Sequence, residues 1–469
     1  MTSTRRSRTW TLVLVSAALF MVTLDNLVVT TALPKIRIDL GASLSGLEWI
    51  VNAYTLSFAV LLLVGAALGD RFGRRRIMSI GLSVFTAASA IAAVAPTTSV
   101  LITARAVQGA GAAMVLPLTL TLLSEAFPPG RRGVALGIWS GVSGLGVALG
   151  PVIGGAVVSG ISWQWIFWIN VPIGLVVAPL ALARLAESRG PNNHLDLAGV
   201  ALASGGLLGI VYALVRANAL GWTSTTVLAS ATAGTLLLAG FVAWERHTST
   251  PMLPMRFFRS RAFSATNGVS LAMYFGMFGA IFLLAQFFQT AQGYTPLQAG
   301  LRTLPWTAMP IFVAPVAGLL SDRLGSRPLM FLGLALQAGA LGWLATELSP
   351  TLSYGSMIVP FMLAGAGMAL VFAPAANAVL GAVREHEAGQ ASGATNAIRE
   401  VGGVLGISVL GTVFSSAGGY ATPSTFVNGL TPAVAVAALV LAVGAVMALA
   451  IPGLRRSVVD PGATAAVTA

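Results

Sequence analysis

The chain has 469 residues, of which 56% are apolar and only 9% are charged, and its mean hydropathy is +0.86. This composition excludes a soluble protein of layered architecture and indicates a polytopic membrane protein. The net charge of +12 does not indicate nucleic-acid binding, because nearly all arginines fall in short gaps between apolar runs. Cysteine is absent, which excludes disulfides and thiolate metal sites.

Apolar runs of about twenty residues predict an all-α protein with fourteen membrane-spanning helices. The predicted spans are 9–32, 46–68, 76–96, 99–126, 133–158, 165–186, 195–216, 225–244, 262–289, 297–321, 327–347, 354–380, 390–416 and 429–452. The even-numbered gaps are rich in arginine, whereas the odd-numbered gaps hold little more than Lys35 and Arg37. We therefore expect a multi-pass protein of the plasma (inner) membrane with both termini in the cytoplasm.

The chain repeats itself after 252 residues. LGDRFGRRR around Asp70 and LSDRLGSRP around Asp322 have this separation, and so do Trp10 and Ala262 near the starts of spans one and nine. The repeat predicts two parallel six-helix halves. We expect a six-helix bundle over residues 1–190, two inserted helices over 191–250 and a second six-helix bundle over 251–469.

The fifth span, GIWSGVSGLGVALGPVIGG, is interrupted by glycines along its whole length. Glycines leave part of a helix without side chains, so that a neighbouring helix approaches closely, and a proline removes one backbone donor. The pattern predicts a combined hinge and packing seam. Its members are Gly137, Gly146, Gly150, Pro151, Gly154 and Gly155.

This order of glycines resembles the antiporter motif of the major facilitator superfamily. Fourteen spans with two inserted helices resemble the drug:proton antiporter branch of that superfamily. The resemblance implies two halves that rock about a central cavity and export lipophilic or cationic drugs, antibiotics or natural products in exchange for protons. We expect the proton gradient to be the energy source, without a cofactor, and the partners to be a small lipophilic substrate, protons and the lipid bilayer. We also expect a monomer.

The repeated loop resembles the cytoplasmic loop motif of the same superfamily. Its first copy comprises Asp70, Arg71, Gly73, Arg74 and Arg75, and its second comprises Asp322, Arg323 and Gly325. An acid beside the next helix N-terminus meets a favourable dipole, and we expect the arginines to pair across the bundle interface. Ala66 stands where the motif usually has glycine, with Gly65 one place early, so we expect a slightly looser helix contact there.

Two ionisable residues lie well inside predicted spans. Asp25 matches the first-helix motif of the fourteen-helix branch, and Arg105 resembles the fourth-helix motif together with Gln108, Gly109 and Gly111. If helix one ends near Leu33, Asp25 lies about 12 Å below that end and Arg105 lies about 10 Å below the start of helix four. An acid and a base at one depth predict an ion pair that controls proton binding. The alternative is a static structural ion pair.

Other intramembrane groups support weaker predictions. Glu400 is either a second proton-binding carboxylate or is neutralised by its neighbour Arg399, and the sequence favours neither. Glu48 and Arg302 lie near predicted span ends, so we expect interfacial positions for both. An adaptable apolar cavity wall is predicted at Met114, Met273, Met277 and Phe278.

The sequence also lacks the signatures of several function classes. The single lysine, Lys35, follows Pro34, so no Walker A loop is present and the chain is not its own ATPase. The three scattered histidines predict neither a metal site nor a histidine proton path, and we expect no enzyme activity. The alternatives to export are a proton-coupled uptake symporter for a small metabolite and a non-transporting membrane receptor or scaffold.

Overall fold

The computed structural model of the chain describes residues 2–190, 196–384 and 387–453, without the side chains of 2–7, 129–134, 136, 137, 140, 218, 322, 388 and 389. Within these ranges the regular structure is entirely helical. Fourteen helical segments are long and apolar enough to cross a membrane. The predicted fold class and the number of spans are therefore confirmed.

The first six spans are built from seven helices. The sequence predicts a local break in span six at Asn170 and Pro172, and the two helices of this span meet at Ile169. Pro172 is the third residue of the last helix, where a missing backbone N–H costs no helical hydrogen bond. The helices are α1 (Thr2–Asp39), α2 (Leu44–Phe72), α3 (Arg74–Ala93), α4 (Thr98–Ala126), α5 (Pro129–Gly160), α6 (Trp165–Trp168) and α7 (Asn170–Arg184).

The remaining eight spans follow the same alternation. The tenth is divided at Ala308, directly before Met309 and Pro310. A short 3₁₀ turn, Met255–Arg259, precedes the ninth span. The helices are α8 (Leu197–Leu220), α9 (Thr225–His247), α10 (Arg261–Thr290), α11 (Pro296–Thr307), α12 (Met309–Leu324), α13 (Ser326–Glu347), α14 (Tyr354–Leu380), α15 (Ala388–Ala417) and α16 (Pro423–Ala448).

Two predicted boundaries are wrong. The first helix does not end near Leu33 but continues through Pro34 to Asp39. The loss of one backbone hydrogen bond at the proline is outweighed by packing, because Leu33 and Ile36 are both fully buried. The last span begins at Pro423 rather than at 429, since Thr422 caps the helix and the proline occupies its first turn.

The two copies of the loop motif form the same turn. Gly73 joins α2 to α3 with φ +108°, and Gly325 joins α12 to α13 with φ +83°. Both values lie in the region that side chains with a Cβ avoid, which explains why glycine occupies both positions. The helix ends at these two turns define what we call the basic face, and the ends at Asp39, Gly160, Thr290 and Ala417 define the opposite face.

Spans 1–6 contact spans 9–14 towards the opposite face. Gln289 Nε2 donates to the carbonyl of Thr31 at 2.9 Å, and the backbone N–H of Leu297 donates to Ser159 Oγ at 3.0 Å. Nearby, the guanidinium of Arg37 lies 4.0 Å from the centre of the Tyr420 ring. These contacts close the two halves against each other on that face.

The two inserted helices pack beside the junction of the halves. Thr412 Oγ1 of α15 donates to the carbonyl of Leu214 in α8 at 2.9 Å. Leu56 of α2 and Val404 of α15 share one apolar cluster with Val211 and Phe241 of the inserted pair. The pair therefore contacts both halves, whereas the division of the chain at residues 190 and 250 stays a prediction.

Candidate transport site

Asp25 and Arg105 form an ion pair inside the first half. Asp25 lies on α1 and Arg105 on α4, and Nη1 of the arginine is 2.5 Å from Oδ2 of the carboxylate. Neither side chain has any exposed surface. The shared depth expected from the sequence thus places two opposite charges in direct contact within the apolar core.

Two amides complete the surroundings of the carboxylate. Gln108 Nε2 and Asn170 Nδ2 each donate to Asp25 Oδ1 at 2.8 Å. Arg105 Nη1 also donates to Gln108 Oε1 at 2.7 Å, which orients the amide with its NH₂ group towards the acid. Gln108 Nε2 in addition reaches Ser89 Oγ on α3 at 2.8 Å. Both carboxylate oxygens are therefore occupied by donors from α4 and α7.

The arginine is held from its other side by α2 and α6. Arg105 Nε donates to the carbonyl of Ile50 at 3.2 Å, and the guanidinium lies 4.2 Å from the Tyr54 ring and 5.8 Å from the Phe167 ring. Arg105 Nη2 is buried without a hydrogen-bond partner. A positive charge over two aromatic faces is stabilised without a second carboxylate.

The sequence analysis missed three members of this site. Ser89 and Tyr54 received no role, and Asn170 was interpreted only as a local helix break. The available signal was polarity, since Ser89 and Asn170 are polar groups inside apolar spans and both are fully buried. The packing of five helices determines which polar groups come into contact, and the sequence of one span does not predict this packing.

Glu400 presents a different environment on α15. Its side chain is 9% exposed and its Oε2 is buried without a hydrogen-bond partner. Arg399 makes no ion pair with it within 4.0 Å in the described part of the chain. Instead, the guanidinium of Arg399 lies 5.6 Å from the Phe372 ring and 6.0 Å from the Tyr274 ring. Arg399 therefore does not neutralise Glu400 by direct contact, and the role of Glu400 stays a prediction.

The glycines of α5 face α1. A Cβ added at Gly146 would lie 3.0 Å from Thr23 Cβ, one at Gly150 would lie 2.9 Å from Leu27 Cβ, and one at Gly154 would lie 2.5 Å from Thr31 Oγ1. These distances leave no space for a side chain on α5, so its bare backbone packs against side chains of α1 and, at Gly154, also against the carbonyl of Val28. The surroundings of Gly137 lie outside the described side chains.

The far end of the same helix contacts the second half. A Cβ at Gly155 would collide with the carbonyl of Pro296, and one at Gly300 would collide with the carbonyl of Pro151. Each helix therefore offers a glycine to the backbone of the other. The predicted seam joins α5 both to α1 of its own half and to α11 of the other half, and its role as a hinge stays a prediction.

The loop motif of the first half makes its ion pairs locally. Arg74 pairs with Asp70 at 2.7 Å and with Glu125 at the end of α4, and Arg75 lies 3.6 Å from Glu187. Among the described side chains, the expected pairing across the bundle interface is not formed. The residues after α7 fold over the motif instead, with the backbone N–H of Gly190 donating to the carbonyl of Asp70 at 3.2 Å.

The remaining residues of the two loop copies make fewer contacts. The guanidinium of Arg71 lies 5.1 Å from the ring of its neighbour Phe72. Arg323 is exposed, and within the described residues it makes no ion pair. The side chain of Asp322 lies outside the described residues, so the second copy can be compared with the first only through the shared turn at Gly325.

A sequence model of the Major Facilitator Superfamily matches residues 15–407 and 266–467. This chain belongs to the Major Facilitator Superfamily. It is 35% identical over 432 residues to the tetracenomycin C resistance and export protein of Streptomyces glaucescens, a match that covers 92% of this chain and 80% of that protein. It is 37% identical over 468 residues to the cephamycin export protein of Amycolatopsis lactamdurans, covering 97% of this chain and 95% of that protein.

A solved structure supports the fold at lower sequence similarity. The crystal structure of a peptide transporter, POT, in complex with sulfate superposes with a TM-score of 0.70 at 17% identity and covers 94% of each chain. At this identity the likeness concerns the fold alone. Together with the fourteen spans, it shows that the chain is a multi-pass membrane protein with the transporter fold of the superfamily.

The glycines of the superfamily's fourth-helix motif set the spacing of α4 in the first half. A Cβ at Gly109 would collide with the carbonyl of Tyr54 in α2, and one at Gly111 would lie 2.7 Å from the backbone nitrogen of Phe85 in α3. Both glycines therefore let α4 lie directly on its neighbours, which brings Arg105 and Gln108 of the same helix to Asp25.

The expected looseness at Ala66 is wrong. A Cβ at the neighbouring Gly65 would collide with the carbonyl of Ala113, so α2 and α4 touch through their backbones at that position. At Gly318 of the second half, a Cβ would have only Ala373 Cβ nearby, at 3.9 Å. The shift of the glycine by one place preserves the close contact, and the looser of the two contacts is the one in the second half.

The predicted cavity residues lie in packed regions of this conformation. Met273, Met277 and Phe278 of α10 are 0%, 6% and 7% exposed, and the Phe278 ring is 5.5 Å from the Tyr274 ring. Met114 of α4 contacts α3, since a Cβ at Gly81 would lie 2.8 Å from Met114 Cβ. Their contribution to a substrate cavity stays a prediction. Across the described ranges, no group of three His, Asp or Glu side chains could hold a metal ion.

Proposed function

We propose that this chain is a proton-coupled antiporter that exports a small lipophilic antibiotic, drug or natural product across the plasma membrane. One observation carries the proposal: its similarity of 35–37% extends over nearly the whole chain to proteins named for antibiotic resistance and export. The similarity thereby covers both halves and the inserted helices of the chain, and not only one module. No catalytic activity is part of the proposal.

Transport follows from alternating access of the two halves. The structure is closed on the opposite face, where Gln289 contacts Thr31 and Gly155 contacts Pro296. In the proposed cycle these contacts separate while the basic face closes, and the glycine seam of α5 supports the motion because it presents only backbone to α1 and α11. The bodies that move are residues 1–190 and 251–469.

Proton coupling is assigned to buried carboxyl groups. Asp25 is the proposed carrier, which takes up a proton after its hydrogen bonds to Arg105, Gln108 and Asn170 have opened. Arg105 then relaxes towards the rings of Tyr54 and Phe167, which already hold its guanidinium. On one side of the membrane the carboxyl binds a proton as the substrate leaves, and on the other side the substrate displaces the proton.

Glu400 is the proposed second carboxyl of the cycle. Its Oε2 is buried without a hydrogen-bond partner, and no ion pair with Arg399 is formed among the described residues. A buried acid without a partner binds a proton more readily than one held in an ion pair, and this supports a role in proton binding for Glu400.

The proposed orientation places the basic face in the cytoplasm. Arg71, Arg74, Arg75 and Arg323 cluster at the turns of that face, and cytoplasmic loops carry an excess of such residues. With an even number of spans, both termini lie on the same side. We propose that the protein acts as a monomer, because one cluster of buried residues joins the two halves and the candidate site is complete within one chain.

A resistance panel tests the proposed function. The chain is expressed in a host without its own drug exporters, and growth is measured on antibiotics of different chemical classes, with inverted vesicles used to follow proton release for each hit. Resistance with proton release upon substrate addition supports antiport. Resistance without proton movement contradicts antiport and favours the receptor alternative. Proton entry together with the substrate contradicts antiport and favours the symporter alternative.

A further inference from the structure

Glu48 is a buried carboxyl group that the transport site does not use. It is the fifth residue of α2 and only 2% exposed. Its Oε2 has no hydrogen-bond partner, and no cation lies within ion-pair distance of it among the described residues. Glu48 lies near the opposite-face end of α2, where the sequence predicts an interfacial position, and α15 covers its side chain.

The carboxyl fills a recess in the contact between the two halves. A Cβ at Gly411 of α15 would collide with the carboxyl group of Glu48, so the glycine provides the space that the acid occupies. One helical turn further along the same crossing, Asn52 Nδ2 donates to Ser408 Oγ at 2.9 Å. Both side chains of this hydrogen bond are fully buried. Glu48 therefore lies in a buried seam between α2 and α15.

Charged and titratable groups surround this seam without compensating the acid. Arg37 at the end of α1 lies over the Tyr420 ring, and Tyr420 donates its hydroxyl to Gln286 at 2.5 Å. Burial raises the pKa of the Tyr420 phenol further above its ordinary value of 10.0, so Tyr420 supplies no charge to this region at neutral pH. Arg216 of α8 forms no ion pair with Glu48 within the described part of the chain. Among the described residues, no cation pairs with the acid and no donor reaches its Oε2 to offset the burial.

A carboxylate in such a place is stable only as the neutral acid. The ionised form loses its hydration and gains no hydrogen bond or counter-ion in return. Water reaches the group if α2 and α15 move apart, and the charge is then hydrated. We propose that Glu48 is a proton-controlled latch: its protonated form lets the two halves close on the opposite face, and its ionised form favours opening of that face.

The direction of the effect follows from linkage. A closed state that holds a proton which the open state releases is favoured as the pH falls. This agrees with the proposed antiport cycle, in which the proton-loaded protein returns with its opposite face closed. The latch rests on the two conformations of the fold and not on the substrate. A test without substrate therefore fails or succeeds independently of the proposed export.

Distance measurements between the halves provide the test. The chain has no cysteine, so Ile38→Cys and Ser424→Cys introduce single spin-label sites at exposed positions of the opposite face, one on each half. Double electron–electron resonance is recorded in lipid nanodiscs without substrate. We expect the open-to-closed ratio to rise with pH, by at most about tenfold per pH unit, as the release of one proton requires.

Three variants decide whether Glu48 is the group responsible. Glu48→Gln carries no charge at any pH, so it should shift the distribution towards the closed state and respond less to pH than the wild type, whereas Glu347→Gln, which removes an exposed acid from the same face, should keep the wild-type response. Gly411→Ala fills the recess and should increase the open population at every pH. A full wild-type pH response in Glu48→Gln overturns the proposal. If Glu48→Gln does not fold, an unchanged distance distribution in Gly411→Ala overturns it.

Discussion

The buried ion pair of Asp25 and Arg105 contributes to the stability of the first half. Removing one partner of a buried pair costs about 3–5 kcal/mol, because the other charge stays buried without compensation. We expect Arg105→Ala to lower the thermal unfolding temperature of the purified protein, and we expect addition of Asp25→Asn to recover part of the loss. The exposed Arg246 makes no ion pair among the described residues, so Arg246→Ala serves as the control. Equal melting of Arg105→Ala and Arg246→Ala would contradict this account.

A second residue-scale prediction concerns Glu387, which lies between the membrane spans. A hydrogen bond from Arg384 lowers the pKa of its carboxyl from 4.5 to about 2, with Arg256 also 2.5 Å away. A lowered pKa contributes stability above pH 4.5 that is lost as the pH falls towards 2.

We therefore expect the wild type to melt at a higher temperature than Glu387→Gln at neutral pH, and the difference to narrow below pH 4.5. Thermal unfolding across this range measures it, with the exposed Glu347→Gln as the reference. A difference that is independent of pH would show that the variant acts through packing and not through the charge of Glu387.

At the scale of single helices, the glycines of α5 distinguish close packing from open surface. A branched side chain at Gly154 would press against Thr31 and Val28 of α1, so Gly154→Leu should reach the membrane but lose transport. Gly141 on the same helix is exposed with nothing within 4 Å of an added Cβ. Gly141→Leu is therefore the matched control and should transport normally. Transport by both variants would mean that the seam is ordinary packing.

Helices and turns were predictable from the sequence where the residues of a single helix determine them. Apolar run length identified all fourteen spans, and the arginine-flanked turn at Gly73 recurred at Gly325. The predicted bounds were wrong where contacts with neighbouring helices determine them. Helix α1 continues through Pro34 because Leu33 and Ile36 are buried by other helices. The local sequence shows the proline, but it does not show the packing by other helices that compensates for the lost hydrogen bond.

The candidate site was predictable to a similar extent. Equal depth in two spans indicated the contact of Asp25 with Arg105, since depth follows from helical rise alone. Rotation about the helix axis does not follow from depth, and it brings Asn170 to the acid and Glu48 to Gly411. The pairing of Arg74 with Glu125 within the first half likewise depends on where the end of α4 lies.

For the whole molecule, the distribution of arginine predicts how the protein is inserted. Fourteen spans with a basic face in the cytoplasm place residue 469 in the cytoplasm as well. A reporter that is active only in the cytoplasm should be active when fused there, and a reporter that requires export should be active when fused at Gly221 between α8 and α9. The reverse pattern would contradict the proposed orientation.

In the proposed cycle, the two halves of the protein exchange a proton for a substrate through buried carboxyl groups. The most direct test uses the purified protein in liposomes with an identified substrate and an internal pH dye. The account predicts that substrate moves in one direction as protons move in the other, and that Asp25→Asn abolishes the proton movement while the protein remains folded. Gradient-driven transport in Asp25→Asn with wild-type proton exchange would contradict the central claim.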